Sequence, residues 1–200
     1  MPLLDLHQHI APALRGERPA QRALFAELAP RAYRVAARYL GEGPDAEDAV
    51  QEAMARVFRG LAKFDPARAR LTTWAHAIAV REALRVLRKR APVAYPAAED
   101  LPPLPDHEPL ATDHLAAADL RALVARLSEG YRTVFNLAAV EGYSHDEVAE
   151  ALGISPATSR SQLTRAKRQL RAWIEARRAP RPPRPAAPLP SPTPLKIAKA

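Results

Sequence analysis

Cysteine is absent from the 200 residues. Disulfide bonds, cysteine-ligated zinc and thiol catalysis are therefore excluded. Aromatic residues make up only 6% of the chain, and Ala, Leu and Arg dominate, which favours helices over strands. No apolar run reaches the roughly 18 residues of a membrane span. The N-terminus MPLLDLHQHI lacks the basic start and long apolar stretch of a signal peptide. Location in the cytoplasm is the expectation, without membrane insertion. No glycine-rich phosphate loop is present. The histidines are His7, His9, His76, His107, His114 and His145. His7-x-His9 is at best half a metal site, and no carboxylate or cysteine set completes it at ligand spacing, so a surface tail is the preferred reading. No metal, cofactor or catalytic residue is expected.

What is abundant is charge and proline. The net charge is +8, but Arg177 to Ala200 carries six basic residues and no acid, leaving +2 for the rest. Overall basicity is thus a weak argument for nucleic acid, and the local pattern must carry it. Proline-rich stretches at Ala91–Pro109 and Ala179–Pro194 cannot be helices and read as extended segments. They divide the chain into an N-terminal extension (1–19), a helical part (20–90), a linker (91–113), a second helical part (114–176) and a disordered tail (177–200). The six linker prolines suggest two halves that move independently. The fold class is all-α, two small helical domains on a Pro-rich linker.

Hydrophobic spacing resolves the helices. Leu24, Phe25, Leu28, Ala32, Val35, Ala36, Tyr39 and Leu40 recur at three- and four-residue steps along a first helix, which Gly41 and Gly43 end. Pro44 and Asp45 open a second. Thr72 or Thr73 can cap a third, running from Trp74 towards Arg90, with Trp74, Ile78, Leu84 and Leu87 as core. Thr112 or Asp113 starts a fourth, with Leu115, Leu120, Leu123, Val124 and Leu127 inward, and a fifth spans about Glu129 to Val140. Ser144 and Glu147 then form a capping box, Gly153 makes the turn, and Ser155 with Pro156 opens a last helix. Short helix, glycine turn and longer basic helix is the helix-turn-helix pattern.

The last helix carries Arg160, Arg165, Lys167, Arg168 and Arg171 with no acid before Glu175, and its start is rich in small and hydroxyl side chains. That composition suits entry into a major groove, where Arg, Ser, Thr and Gln reach base edges and phosphates. A solvated basic helix is the alternative, and the capping box and turn weigh against it. In the second helix, Glu42, Asp45, Glu47, Asp48 and Glu52 are five acids within eleven residues. The helix dipole accounts for the carboxylates of the first turn but explains Gln51 and Glu52 less well.

LSEGYRTVFNLAAVEGYSHDEVAEALGISPATSRSQLTRAKRQL resembles the promoter −35-reading domain of extracytoplasmic-function (ECF) sigma factors. DAEDAVQEAMARVF resembles the segment of that family that docks on polymerase, and LTTWAHAIAVREALRVLRKR its −10 region. The resemblance covers about Ala20–Arg90 and Leu115–Trp173. It implies a sigma factor without enzymatic activity that binds core RNA polymerase, at the β′ clamp helices and β flap, and promoter DNA. An anti-sigma factor is a further implied partner. Implied docking residues are Asp45, Glu47, Asp48, Gln51 and Glu52. Implied −10 contacts are Arg70, Thr73, Arg81, Arg85, Arg88 and Lys89, with the loop Lys63–Leu71 holding melted DNA. Implied −35 contacts are Thr158, Arg160, Ser161, Gln162, Thr164, Arg165, Lys167 and Arg168. Two departures stand out: Arg81 occupies a position where the family often has Asn, and Ala157-Thr158-Ser159 replaces a frequent Gly-Thr-Val. A stand-alone helix-turn-helix regulator and a polymerase-binding accessory or anti-sigma protein are the competing readings. The acidic second helix and basic third helix disfavour the first, and the intact basic recognition helix disfavours the second.

Overall fold

A computed structural model describes residues 6–90 and 114–178. The proline-rich linker and all but the first two residues of the proposed tail lie outside the described residues. Within them every regular element is helical: α1 (Ile10–Leu14), α2 (Arg18–Leu40), α3 (Pro44–Gly60), α4 (Leu71–Arg90), α5 (His114–Ala125), α6 (Glu129–Phe135), α7 (His145–Leu152) and α8 (Pro156–Arg178). None of these helices is long and apolar enough to cross a membrane.

Helices α2, α3 and α4 form a bundle. Gly41 and Gly43 adopt φ of 83° and 134°, values that side chains disfavour, and so reverse the chain between α2 and α3. Pro44 then starts α3 with a preset φ, and Asp45 and Glu47 sit in its first turn where the helix dipole favours anions. Ala46, Ala49 and Ala53 line its inner side, so α3 approaches its neighbours closely. Leu24, Leu28, Val35 and Tyr39 of α2, Met54 and Val57 of α3, and Val80, Leu84 and Leu87 of α4 fill the centre. Each fully buried leucine there contributes about 1.5–3 kcal/mol by leaving water.

Several expectations need correction. The N-terminal extension is not a free tail over its described residues: Leu6 and Ala13 are buried in the bundle core, and the Gln21 side-chain amide donates to the Ala13 carbonyl at 3.1 Å. Helix α4 starts at Leu71, with the Trp74 N–H bonded to the Arg70 carbonyl at 3.0 Å. Thr72 and Thr73 therefore lie inside its first turn rather than at the cap. Phe25 and Leu120 are exposed, whereas Leu123, Val124 and Leu127 are buried as expected. The fifth expected helix is α only to Phe135 and then winds as a π turn over Asn136–Val140. Arg177 and Arg178 belong to α8 rather than to a tail, and Arg177 pairs with Asp119 at 3.0 Å.

The largest difference concerns the two halves, which share a core. Leu123, Val124, Leu127, Ala166 and Leu170 form a cluster of α5 and α8, with the Arg126 guanidinium 4.6 Å from the Trp173 ring centroid. Six other buried residues of the C-terminal half, Val134, Leu137, Tyr143, Val148, Ala151 and Leu152, are continuous with the core of the N-terminal bundle. A composition-based reading of the linker has no access to this packing, which depends on which faces of α6, α7, α2 and α4 are left apolar.

Candidate nucleic-acid interface

The helix-turn-helix is built as its residues dictate. The Ser144 hydroxyl accepts from the Glu147 N–H at 3.2 Å and the Glu147 carboxylate accepts from the Ser144 N–H at 2.7 Å, which satisfies two donors at the start of α7. Gly153 ends α7 in the left-handed region at φ 62°. Ser155 then caps α8, its hydroxyl accepting from the Thr158 N–H at 3.0 Å. The departure at Ser159 has a local answer. Its side chain is fully buried, and its hydroxyl lies 2.8 Å from His145 Nδ1. An interior hydroxyl is costly without a partner, and His145 on α7 supplies one, tying the two helices of the motif together. Sequence reasoning left His145 without a role.

On α8, Arg160, Arg165, Lys167, Arg168 and Arg171 are all exposed, as are Ser161 and Thr164. The Ser161 hydroxyl donates to the Thr158 carbonyl and the Thr164 hydroxyl to the Arg160 carbonyl, both at 2.9 Å. Thr158 and Gln162 are half-buried. The helix thus offers solvent a stripe of cations with short hydroxyl side chains between them, a surface that reaches phosphates and base edges without bulk.

Helix α4 is arranged differently. Glu82 is buried within this otherwise basic helix and pairs with Arg56 of α3 at 2.7 Å. Burial pushes its carboxyl above the usual range, and Arg56 and Arg85 pull against that. Arg88 donates to the Ala151 carbonyl of α7 at 3.4 Å. Burial pushes the Tyr143 hydroxyl up to about 12, and Arg81 is the chief charge opposing that rise. Two of the expected −10 arginines, Arg81 and Arg88, therefore sit against the C-terminal half. Arg85, Lys89, Arg70 and Thr73 are exposed or half-buried. Trp74, read as core, is half-buried, its ring 5.3 Å from that of Phe64. Phe64 is in turn 5.9 Å from the ring of His7. The loop Lys63–Leu71 is thus flanked by aromatic rings, one of them from the N-terminal segment.

The acids of α3 are not equivalent. Glu47, Asp48 and Gln51 are exposed. Asp45 pairs with Arg90. Glu52 pairs with Arg56 at 3.2 Å and Arg59 at 2.8 Å, and Arg59 beside it holds its carboxyl below the usual range. Reading only the stretch from Glu42 to Glu52 overlooked these arginines one and two turns on.

One acid was missed entirely. Glu141 follows the π turn and is buried, with Arg38 at 2.8 Å and His76 at 2.7 Å. The Tyr39 hydroxyl donates to it at 3.5 Å. The signal for it was present: a carboxylate at a helix C-terminus opposes the dipole, so a lone acid after NLAAV calls for a cation from elsewhere.

Comparison with known proteins follows the same division of the chain. A family model described as Sigma-70 region 2 matches residues 24–93, and one described as Sigma-70, region 4 matches residues 117–170. The chain is 33% identical over 161 residues to the ECF RNA polymerase sigma factor SigE of Mycolicibacterium smegmatis, an alignment covering 78% of this chain and 62% of that protein. It is 31% identical over 160 residues to the RNA polymerase sigma factor CarQ of Myxococcus xanthus, covering 80% of this chain and 91% of that one. With the sigma factor RpoE of Bartonella quintana, solved in complex with the anti-sigma factor NepR, the TM-score is 0.46 at 20% identity, over 77% of this chain and 96% of that one.

Proposed function

The chain belongs to the ECF group of the sigma-70 family, and we propose on that premise how its helices share the work of directing RNA polymerase to promoters. The observation that carries the reading is the pair of family matches, region 2 on residues 24–93 and then region 4 on residues 117–170, in that order. A sigma factor supplies no catalytic group. It selects DNA for an enzyme that otherwise lacks sequence preference, so its chemistry is ion pairing, hydrogen bonding and base stacking.

Helix α8 reads the −35 element. Arg160 and Arg165 lie near the end that enters the groove, where an arginine grips guanine through two hydrogen bonds. Lys167 and Arg168 hold phosphates and set the register. Thr158, Ser161, Gln162 and Thr164 are the remaining contacts. Helix α4 and the loop before it receive the melted −10 strand through Arg70, Thr73, Arg81, Arg85, Arg88 and Lys89, with arginines serving phosphates and base faces alike. Glu47, Asp48 and Gln51 of α3, with Asp45 and Glu52 at the margins, dock on the β′ clamp helices of core polymerase, and the C-terminal half meets the β flap. An anti-sigma factor regulates access to these surfaces. The domain limits proposed above carry over, with α8 extended to Arg178. Transcription from a promoter library with core polymerase tests the reading: start sites that arise only when this protein is added are the expected result. Start sites unchanged by its addition, with duplex binding intact, point to a stand-alone regulator.

A further inference from the structure

Three aromatic rings are linked one to the next beside the loop Lys63–Leu71, and each comes from a different element. The inner one is Trp74, at the start of α4. A Cβ at Gly60, the last residue of α3, would meet the indole at 3.1 and 3.3 Å, so the glycine lets that ring lie against α3. Phe64, in the loop, is next, its ring centre 5.3 Å from that of Trp74 at an interplanar angle of 47°. His7 is the outer one, 5.9 Å from Phe64 at 37°. It belongs to a single turn of 3-10 helix, Leu6–His9, well before the region 2 match that starts at residue 24. Burial of Leu6 in the bundle core fixes that turn, yet His7 is exposed. Lys63, Arg68 and Arg70 of the same loop are exposed too. The Asp65 carboxylate accepts from the Ala67 N–H at 2.9 Å, which shapes the loop between them.

We propose that His7 is a base-stacking contact of the promoter complex: an unstacked base of the melted −10 strand lies on its imidazole while the exposed cations of the loop hold neighbouring phosphates. The inference rests on the assignment of the loop Lys63–Leu71 to that strand. Melting leaves bases without their stacking neighbours, and an aromatic side chain, histidine included, replaces part of that contact. Phe64 and Trp74 are half-buried and serve mainly to hold each other and the histidine in place. A histidine in a free surface tail needs neither a ring beside it nor a buried leucine before it, and His7 has both. Every base has a π face, so stacking tolerates any sequence. The contact therefore adds grip on the open strand and leaves promoter choice to other residues. It also extends the DNA-binding surface to a turn that the family match does not reach.

The test uses the full chain bound to core polymerase and a −10 single-stranded oligonucleotide in which one abasic site is moved along the sequence. In wild type, removing the base that stacks on His7 should weaken binding about tenfold. In His7→Ala the intact oligonucleotide should bind about tenfold more weakly. An abasic site at that same position should then cost nothing further, while the losses at every other position stay as they were. His7→Phe should restore both values. His7→Gln, which keeps a polar side chain without a ring, should not. Undiminished binding by His7→Ala or by His7→Gln overturns the proposal. So does weaker binding with an unchanged abasic profile, because a histidine that merely props the loop lowers every position alike. A wild-type polymerase complex that ignores the −10 strand, or whose binding is indifferent to both Arg68→Ala and Arg70→Ala, would instead refute the assignment of the loop, a result distinct from either.

Discussion

Helices α4 and α8 are both basic and similar in length, 20 and 23 residues, yet the bundle treats them in opposite ways. Helix α8 buries Ser159, Ala166 and Leu170 and leaves Arg160, Arg165, Lys167, Arg168 and Arg171 exposed. Helix α4 buries ten residues, Glu82 among them. It engages Arg85 with Glu82, Arg88 with Ala151, and Arg90 with Asp45 and Glu129. The difference follows from position. A helix at the rim of a small domain needs one apolar stripe, whereas a helix between two other helices and a second domain needs apolar residues nearly all round. Basic composition alone therefore does not identify a surface ready for DNA. It identifies one only where the cations have no better partner within the protein.

The comparison can be broken from either side, and polymerase docking gives the largest expected effect. If core enzyme contacts the N-terminal bundle through α3 and leaves α4 to DNA, then Asp48→Arg with Glu52→Arg should weaken core binding by about a hundredfold, since opposed like charges at an interface cost several kcal/mol. Thermal stability should fall somewhat in this variant, because Glu52 is half-buried and its replacement by Arg removes its pairs with Arg56 and Arg59 and sets a third cation beside them. The pairs of Glu52 with Arg56 and Arg59 sharpen this further: Glu47→Arg with Asp48→Arg, at two exposed acids, should weaken binding at least as much. Affinity titration against core enzyme checks both, and native affinity in the two variants would place docking elsewhere.

Next in size is promoter choice by the open helix. Arg160→Ala or Arg165→Ala should lower transcription unequally across a promoter library, by about 1–3 kcal/mol of discrimination at the affected base pair. An identical ranking in wild type and both variants would make these arginines phosphate clamps and pass the readout to Ser161, Gln162, Thr164 or DNA shape. Smaller again is the effect of Lys167→Ala, which should weaken all promoters nearly alike and reduce the salt slope of duplex binding by about one unit. A salt titration that leaves the slope unchanged would remove Lys167 from the contact.

The smallest effect concerns the acid buried in α4. Its folded pKa is raised above the unfolded value by burial. Its contribution to stability is accordingly fullest below the ordinary glutamate range and is lost as pH rises through the raised folded value. Glu82→Gln should flatten the melting temperature across that interval and, because the Arg56 pair is also lost, change stability at neutral pH only modestly. A steep fall in melting temperature at neutral pH would mean that the Glu82–Arg56 pair outweighs its desolvation.

Local structure was more legible in the sequence than the interface was. The capping box at Ser144, the left-handed Gly153, the Ser155 cap and the opening of α3 at Pro44 are all local rules, and each is written in one to four residues. The start of α4 escaped because Leu71 is apolar and the threonines after it look like caps. The π turn escaped because periodicity does not separate one kind of helical winding from another over five residues. His145 with Ser159, and Glu141 with Arg38 and His76, join residues 14, 103 and 65 positions apart. A histidine and a carboxylate show no partner at that range until the chain is folded. Signals existed in the polar Ser159 at a usually aliphatic position and in an acid at a helix C-terminus, but neither names its partner.

The most direct measurement is a pair of binding titrations on the unlabelled wild-type chain, with a −35 duplex and with a −10 single strand, each in the absence and presence of core polymerase. The free chain should bind the duplex but bind the single strand only when polymerase is present, since the cations of α8 from Arg160 to Arg171 are exposed whereas Arg85, Arg88 and Arg90 of α4 are engaged within the protein. Equal binding of the single strand with and without polymerase would contradict this expectation.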